Sequence, residues 1–172
     1  ENFKIEDFKK EYGYDFPTFY HLSEKECTDI KKRWSKKFNS NNNGLEIFVR
    51  LGNCKKIKSV NAEDDKIFIL KNIFNKLNIH PESVLINFCR FDDIDEMKLD
   101  DLNKYFYDIW YPVVEDIEIF DRECNWMILI SHDGDVGYIS PIKQEKDRIG
   151  VKSFVENVRQ GNVKASVVDG LG

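Results

Sequence analysis

The sequence predicts a single α+β domain: a mostly antiparallel, twisted sheet with a C-terminal meander and about three to four packed helices. Two observations lead to this prediction. Three short apolar runs alternate with two polar turns between Asp116 and Ser140, which is typical of antiparallel strands. Longer segments before them repeat apolar residues at helical spacing. The chain has 172 residues, of which 41% are hydrophobic, so one domain can bury its own core. We expect this domain to span 1–160 and a flexible tail to span 161–172.

Two helices are predicted in the N-terminal part of the chain. Ile5, Phe8 and Tyr12 have helical spacing, and Gly13 follows them as a break. A second helix is predicted over 23–38, because a serine at its start and a glutamate three residues later form a capping box. This helix has an apolar face, formed by Cys27, Ile30, Trp34 and Phe38, and a basic face, formed by Lys31, Lys32, Arg33, Lys36 and Lys37.

The middle of the chain alternates between strand and helix patterns. Alternating apolar residues predict a strand over 45–51, whereas 54–60 is compatible with either a lysine-rich edge strand or a loop. A helix is predicted over 64–78, where the apolar positions lie three and four residues apart. The strand predicted over 83–90 is apolar on both faces, which favours a central position in the sheet.

The remaining elements lead into the meander and beyond it. Asp92 to Glu96 is predicted as an acidic loop, and an amphipathic helix follows over 99–110, ended by Pro112. A weaker helical pattern covers 151–158. The meander itself is predicted as three strands, over 116–121, 125–131 and 136–140.

The charge of the chain is concentrated in its middle. The net charge is −5, but the segment from Asp92 to Asp135 holds 14 acidic and 3 basic residues, a balance of −11. Such a field repels nucleic acid and attracts cationic protein surfaces. The opposite hypothesis, a nucleic-acid-binding module that uses the basic helix face from Lys31 to Lys37, stays open beside it. The sequence indicates no oligomeric state.

The cysteines indicate a reducing compartment. None of the four belongs to a Cys-x-x-Cys pair, and their intervals match no zinc pattern. We therefore expect free thiols and a cytoplasmic protein. The longest apolar runs are far short of a membrane span, so no membrane partner is expected. No metal or other cofactor is expected either.

The strongest candidate for catalysis is the turn His132-Asp133-Gly134-Asp135. A histidine with two carboxylates is suited to metal binding or proton transfer, whereas Asp-Gly is also the pair that a tight hairpin turn prefers. The sequence has no nucleophile elbow, phosphate-binding loop or dinucleotide fingerprint. We expect a protein that is not an enzyme; the alternative is a small metal-dependent hydrolase centred on this turn.

The acidic residues of the meander are the candidate binding surface. On a strand, Asp116, Glu118 and Phe120 lie on one face, so these residues stand outward if Ile117 and Ile119 face the core. Acidic side chains around an aromatic anchor favour binding to a basic surface. An acidic solvent-exposed face without any partner remains the other interpretation. The predicted partner-binding residues are Asp92, Asp93, Asp95, Glu96, Glu115, Asp116, Glu118, Phe120, Asp121 and Glu123.

Residues 83–140 carry a resemblance to a known class of proteins. The strand Asn125-Trp-Met-Ile-Leu-Ile-Ser-His132, the Asp-Gly turn after it and Gly137-Tyr-Ile139 occur in a chain rich in Lys, Asn and Ile. Together they resemble bacterial immunity proteins of polymorphic-toxin and contact-dependent growth inhibition systems. The resemblance implies a cytoplasmic α+β protein that binds a cognate toxin domain, often a cationic nuclease, and blocks it. No individual binding residue follows from the resemblance.

Overall fold

The structure, a computed structural model, describes residues 2–38, 54–64, 68–88 and 90–140. Its helices are α1 (Asn2–Tyr12), α2 (Glu24–Phe38), α3 (Leu70–Leu77), α4 (Leu99–Lys104) and α5 (Phe106–Ile109). Its strands are β1 (Phe19–His21), β2 (Lys55–Asn61), β3 (Ser83–Asn87), β4 (Ile94–Lys98), β5 (Ile117–Phe120), β6 (Met127–Ile130) and β7 (Asp135–Ile139). The chain divides into a unit Glu1–Ile139, which carries all of these elements, and a unit Ser140–Gly172.

The described strands form one antiparallel sheet in the order β1-β4-β3-β5-β6-β7-β2. This arrangement confirms the predicted α+β fold class. It also confirms the C-terminal meander, because β5, β6 and β7 pair in sequence order. Strand β3 lies between β4 and β5, as its apolar residues predicted, and the ambiguous segment 54–60 is strand β2, paired with β7.

Helices cover the sheet on both faces. One apolar cluster joins the sheet to Phe8 of α1, Phe74 of α3 and Leu102 of α4. The other cluster joins the opposite face to α2, whose Trp34 is buried against Phe120. Because both faces are covered, every residue of β5 and β6 is buried. The predicted capping box starts α2, since the backbone N–H of Ser23 donates to the Glu26 carboxylate at 2.9 Å.

Three boundaries differ from the prediction. The segment predicted as a loop over 92–96 contains the start of strand β4, because its pairing with β1 and β3 overrides an acidic composition that favours a loop. Within the helix predicted over 64–78, the described residues are helical in α3. Ile69, directly before α3, is extended. The helix predicted over 99–110 is divided at Tyr105 into α4 and α5, although its apolar stripe is buried as expected.

The outward orientation predicted for Glu118 and Phe120 is wrong. Both side chains have no exposed surface, because α2 covers the face of β5 on which they lie. The prediction assumed one solvated sheet face, which is common in antiparallel sheets but does not hold here. Neither residue is accessible to a partner in this structure.

Other predictions concern thiols, membranes and the ends of the chain. Cys27 and Cys124 are free thiols, and burial raises the pKa of Cys124 to about 11. Among the described helices, none is both long and apolar enough to cross a membrane. The predicted strand 45–51, the helical pattern 151–158 and the tail 161–172 lie outside the described residues.

Candidate functional site

One end of the sheet gathers carboxylates from separate segments of the chain. Strand β3 finishes there at Asn87, which pairs with Ile94 at the start of β4 and with Glu118 in β5. Strand β6 finishes at the same end, where Ile130 lies opposite Ile117 and just before the turn into β7. We call this region the acidic end and define it by Asp92, Asp93, Asp95, Glu115, Asp116, Asp133 and Asp135.

A cleft of about 500 Å³ opens at the acidic end. The first turn of α1 and the segment 114–116 form part of its lining, and residues that follow β3 complete it. The lining combines three carboxylates with two cations and three apolar side chains. The charged members are Lys4, Arg90, Asp93, Glu115 and Asp116.

Glu115 is the fixed carboxylate of the cleft. Its Oε2 accepts a hydrogen bond of 2.6 Å from Nζ of Lys4 and one of 3.1 Å from the backbone N–H of Tyr111. The ammonium of Lys4 is buried, donates to the carbonyl of Ile109 at 2.6 Å and lies 4.6 Å from the ring centroid of Phe88. Lys4 therefore attaches α1 to this side of the cleft and neutralises Glu115.

Asp116 binds the turn between β6 and β7. Its Oδ1 accepts a hydrogen bond of 2.7 Å from the backbone N–H of His132. The same oxygen lies 2.9 Å from Nδ1 of the His132 ring. This contact raises the pKa of His132 above its ordinary value, because a neighbouring carboxylate favours the imidazolium form. Asp116 is half-buried, and its carboxylate is engaged by His132.

The turn after His132 has the geometry of a hairpin. Gly134 has a φ of +79°, and a Cβ there would lie 2.1 Å from Oδ1 of Asn61, so glycine is required. Asp135 forms an ion pair of 3.0 Å with Lys56 on the neighbouring strand. The histidine and the two aspartates of the alternative metal site therefore do not converge as a ligand group in the described structure.

A different group has the spacing of metal ligands. Nδ1 of His21 lies 2.9 Å from Oδ1 of Asp95 and 3.5 Å from Oδ1 of Asp93. In the part of the chain that the structure describes, these three residues are the one His/Asp cluster whose donor atoms could share an ion. No local pattern indicates it, because the pairing of β1 with β4 brings His21 to residues 72 and 74 positions away in sequence.

The other predicted binding residues lie around the turn from β5 to β6. Oε2 of Glu96 accepts hydrogen bonds from Arg122 at 2.5 and 3.1 Å, and this ion pair lowers the pKa of Glu96. Oε1 of Glu123 lies 3.4 Å from Arg33 of α2. Asp121 accepts a hydrogen bond of 2.6 Å from the backbone of Asn125. Arg33 on the basic face of α2 thus contacts Glu123, and the predicted acidic field divides into two regions.

Some surface residues at the acidic end were absent from the sequence prediction. Phe3, Val113 and Val114 are exposed, and two of them line the cleft. An isolated pair of valines ordinarily indicates a buried position, so the sequence offers no signal for their exposure. Among the predicted partner-binding residues at the acidic end, Asp92 and Asp93 are exposed, whereas Asp95, Glu115 and Asp116 are half-buried.

Comparisons with known proteins find no similar protein. No protein-family model matches the sequence, no curated protein matches it, and no solved structure matches the chain.

Proposed function

We propose that this chain is an immunity protein that binds a cognate cytotoxic toxin domain, such as a nuclease, through the acidic end. It neutralises the toxin by stoichiometric occlusion. The observation that supports this proposal most directly is the charge at one end of the sheet. Seven carboxylates from separate segments lie there; among the described residues, Lys4 and Arg90 line the same cleft and Lys56 pairs with Asp135. A toxin that acts on nucleic acid needs a basic surface, which this end complements.

The individual carboxylates would have different tasks in such a complex. Asp92 and Asp93 are exposed just before β4, so they can meet lysine or arginine side chains of the toxin. Glu115 and Asp116 are held by Lys4 and His132, which keeps their positions constant before and after binding. A surface that is already ordered loses little conformational entropy on association.

Occlusion requires fast and tight association without any chemical step. Electrostatic attraction accelerates the encounter between oppositely charged surfaces and weakens as salt is added. The same acidic surface disfavours nucleic acid as a partner of this chain. A cytoplasmic location belongs to the proposal, because the protein must meet the toxin where the substrate of the toxin is.

The test is co-expression with the toxin domain encoded immediately upstream of the gene for this chain. We expect a one-to-one complex that survives purification and cells that are protected from the toxin. Absence of both a complex and protection would refute the proposal.

Charge-neutralising variants then locate the binding surface. Asp92→Asn combined with Asp93→Asn should weaken toxin binding at least about tenfold and reduce the association rate most strongly at low salt. The matched control is Glu24→Gln with Asp29→Asn, which removes the same charge from the exposed surface of α2. Equal binding by the two double variants would show that the acidic end is not the interface.

A further inference from the structure

The turn between α5 and β5 exposes two adjacent valines at the edge of the cleft. Val113 is 69% exposed and Val114 is 77% exposed. Val113 also has a φ of +71°, a conformation that is unfavourable for a side chain branched at Cβ. Neither feature helps the fold, since exposed valine side chains gain no stability from burial and a left-handed valine costs stability.

This turn is nevertheless well ordered by hydrogen bonds. The backbone N–H of Val113 donates to the carbonyl of His132 at 2.8 Å, and that of Glu115 donates to the carbonyl of Tyr111 at 3.1 Å. The indole N–H of the buried Trp110 donates to the carbonyl of Glu115 at 2.6 Å. The valines are therefore presented by a backbone that hydrogen bonds hold on both sides.

The surroundings of the turn specify the chemistry of what binds it. Glu115 and Asp116 follow the valines directly, and Asp93 lies in the lining of the same cleft. The ring of Phe3, which is also exposed, lines that cleft together with Val114. An apolar centre with carboxylates around it matches the general plan of a protein interface, in which a few desolvated contacts lie inside a polar rim.

We propose that Val113 and Val114 form the apolar anchor of the interface and insert into an apolar depression ringed by lysine and arginine on the toxin. This inference rests on the proposed function and identifies the part of the acidic end that enters the partner. A cationic protein surface is favoured over a second copy of this chain, because two copies would bring their carboxylates together. The same carboxylates would be repelled by the anionic headgroups of a membrane.

The experiment measures binding of full-length variants to the toxin domain encoded immediately upstream. Val114→Ala should weaken binding at least about tenfold, since truncation of a buried anchor removes desolvated contact. The loss should be equal at low and high salt, because apolar contact is not screened. The matched control is Ile69→Ala, which truncates another exposed apolar side chain, 58% exposed and before α3, and should leave binding unchanged.

Val113→Gly separates binding from folding. Glycine adopts a positive φ without strain, so the midpoint of thermal unfolding should not fall. Binding should nevertheless weaken at least about tenfold, because the anchoring side chain is gone. A merely structural valine would show the opposite result, with altered stability and intact binding.

The outcomes distinguish failure of the valine anchor from failure of the proposed immunity function. If the unchanged chain forms no complex and gives no protection, both proposals fail. If the complex forms but Val113→Gly and Val114→Ala bind as tightly as the unchanged chain, the anchor is wrong and the immunity function stands. Self-association of the unchanged chain that Val114→Ala abolishes would assign the valines to a second copy and overturn the inference.

Discussion

Asn87 and Glu118 form a polar pair inside the apolar layer between the sheet and α2. They lie directly opposite each other on β3 and β5, and neither side chain has any exposed surface. Nδ2 of Asn87 donates a hydrogen bond of 2.5 Å to Oε2 of Glu118. Oδ1 of Asn87 accepts another, of 2.9 Å, from the backbone N–H of Phe91, whose φ is +59°. Asn87 thus joins the buried carboxylate to the segment that leads to the acidic end.

The first prediction concerns the stability that this pair supplies. Asn87→Ala should lower the free energy of unfolding by about 2 to 3 kcal/mol, because it leaves a buried carboxylate and a buried N–H each short of a partner. Urea unfolding measures the difference. Asn75→Ala, on the exposed face of α3, should change it by no more than about 0.5 kcal/mol. Equal losses from the two substitutions would mean that the Asn87 hydrogen bonds contribute no net stability.

Local signals explain which parts of the fold could be predicted. The meander follows from short apolar runs around an Asp-Gly pair, and the start of α2 follows from Ser23 and Glu26. Strand β4 could not be predicted, because Asp95 and Glu96 favour a loop until β1 and β3 supply hydrogen-bond partners. The burial of Glu118 depends on where α2 packs, which no local pattern encodes.

The candidate site was predictable in composition but not in arrangement. The excess of carboxylates between Asp92 and Asp135 is visible in the sequence. Which of them share a surface depends on strand order. Asp93 and Asp116 line the same cleft, whereas Glu96 forms an ion pair with Arg122. The exposed valines depend on a turn whose backbone is held by distant groups, and hydrophobicity alone assigns such residues to the core.

The second prediction tests the second covered face of the sheet. Phe120 lies among Trp34 and Phe91, with ring centroids 6.2 and 5.9 Å from its own. Phe120→Ala should therefore lower the free energy of unfolding by about 3 to 5 kcal/mol through lost burial and a residual cavity. A control is Tyr20→Ala on β1, where the ring is exposed and the loss should stay below about 1 kcal/mol. Denaturant unfolding of both variants distinguishes a buried Phe120 from one that faces solvent.

The third prediction concerns the ion pair between Lys4 and Glu115. Lys4→Met should lower the free energy of unfolding by about 2 to 3 kcal/mol, because it leaves a half-buried carboxylate without its cation. Combining it with Glu115→Gln should recover part of the loss, giving a coupling of at least about 1 kcal/mol in a double-mutant cycle.

An exposed ion pair provides the comparison for that cycle. Lys9 lies 2.9 Å from Asp15, and both side chains are largely in solvent. Lys9→Met should therefore cost no more than about 1 kcal/mol. If Lys4→Met cost as little as Lys9→Met, the attachment of α1 to the cleft would not depend on the ammonium of Lys4.

The fourth prediction is a pH dependence that originates at His132. The hydrogen bond to Asp116 raises the pKa of His132 in the folded protein above its unfolded value of about 6.5. The folded state therefore binds the proton more tightly, and the resulting stability is fully present below pH 6.5 or so and is lost as the pH rises through the folded pKa. The stability difference between the unchanged chain and His132→Gln should accordingly shrink from acidic to alkaline pH. NMR titration of the His132 ring should give a midpoint above about 6.5, and Asp116→Asn should lower that midpoint. A midpoint that Asp116→Asn leaves in place would show that another group perturbs the histidine.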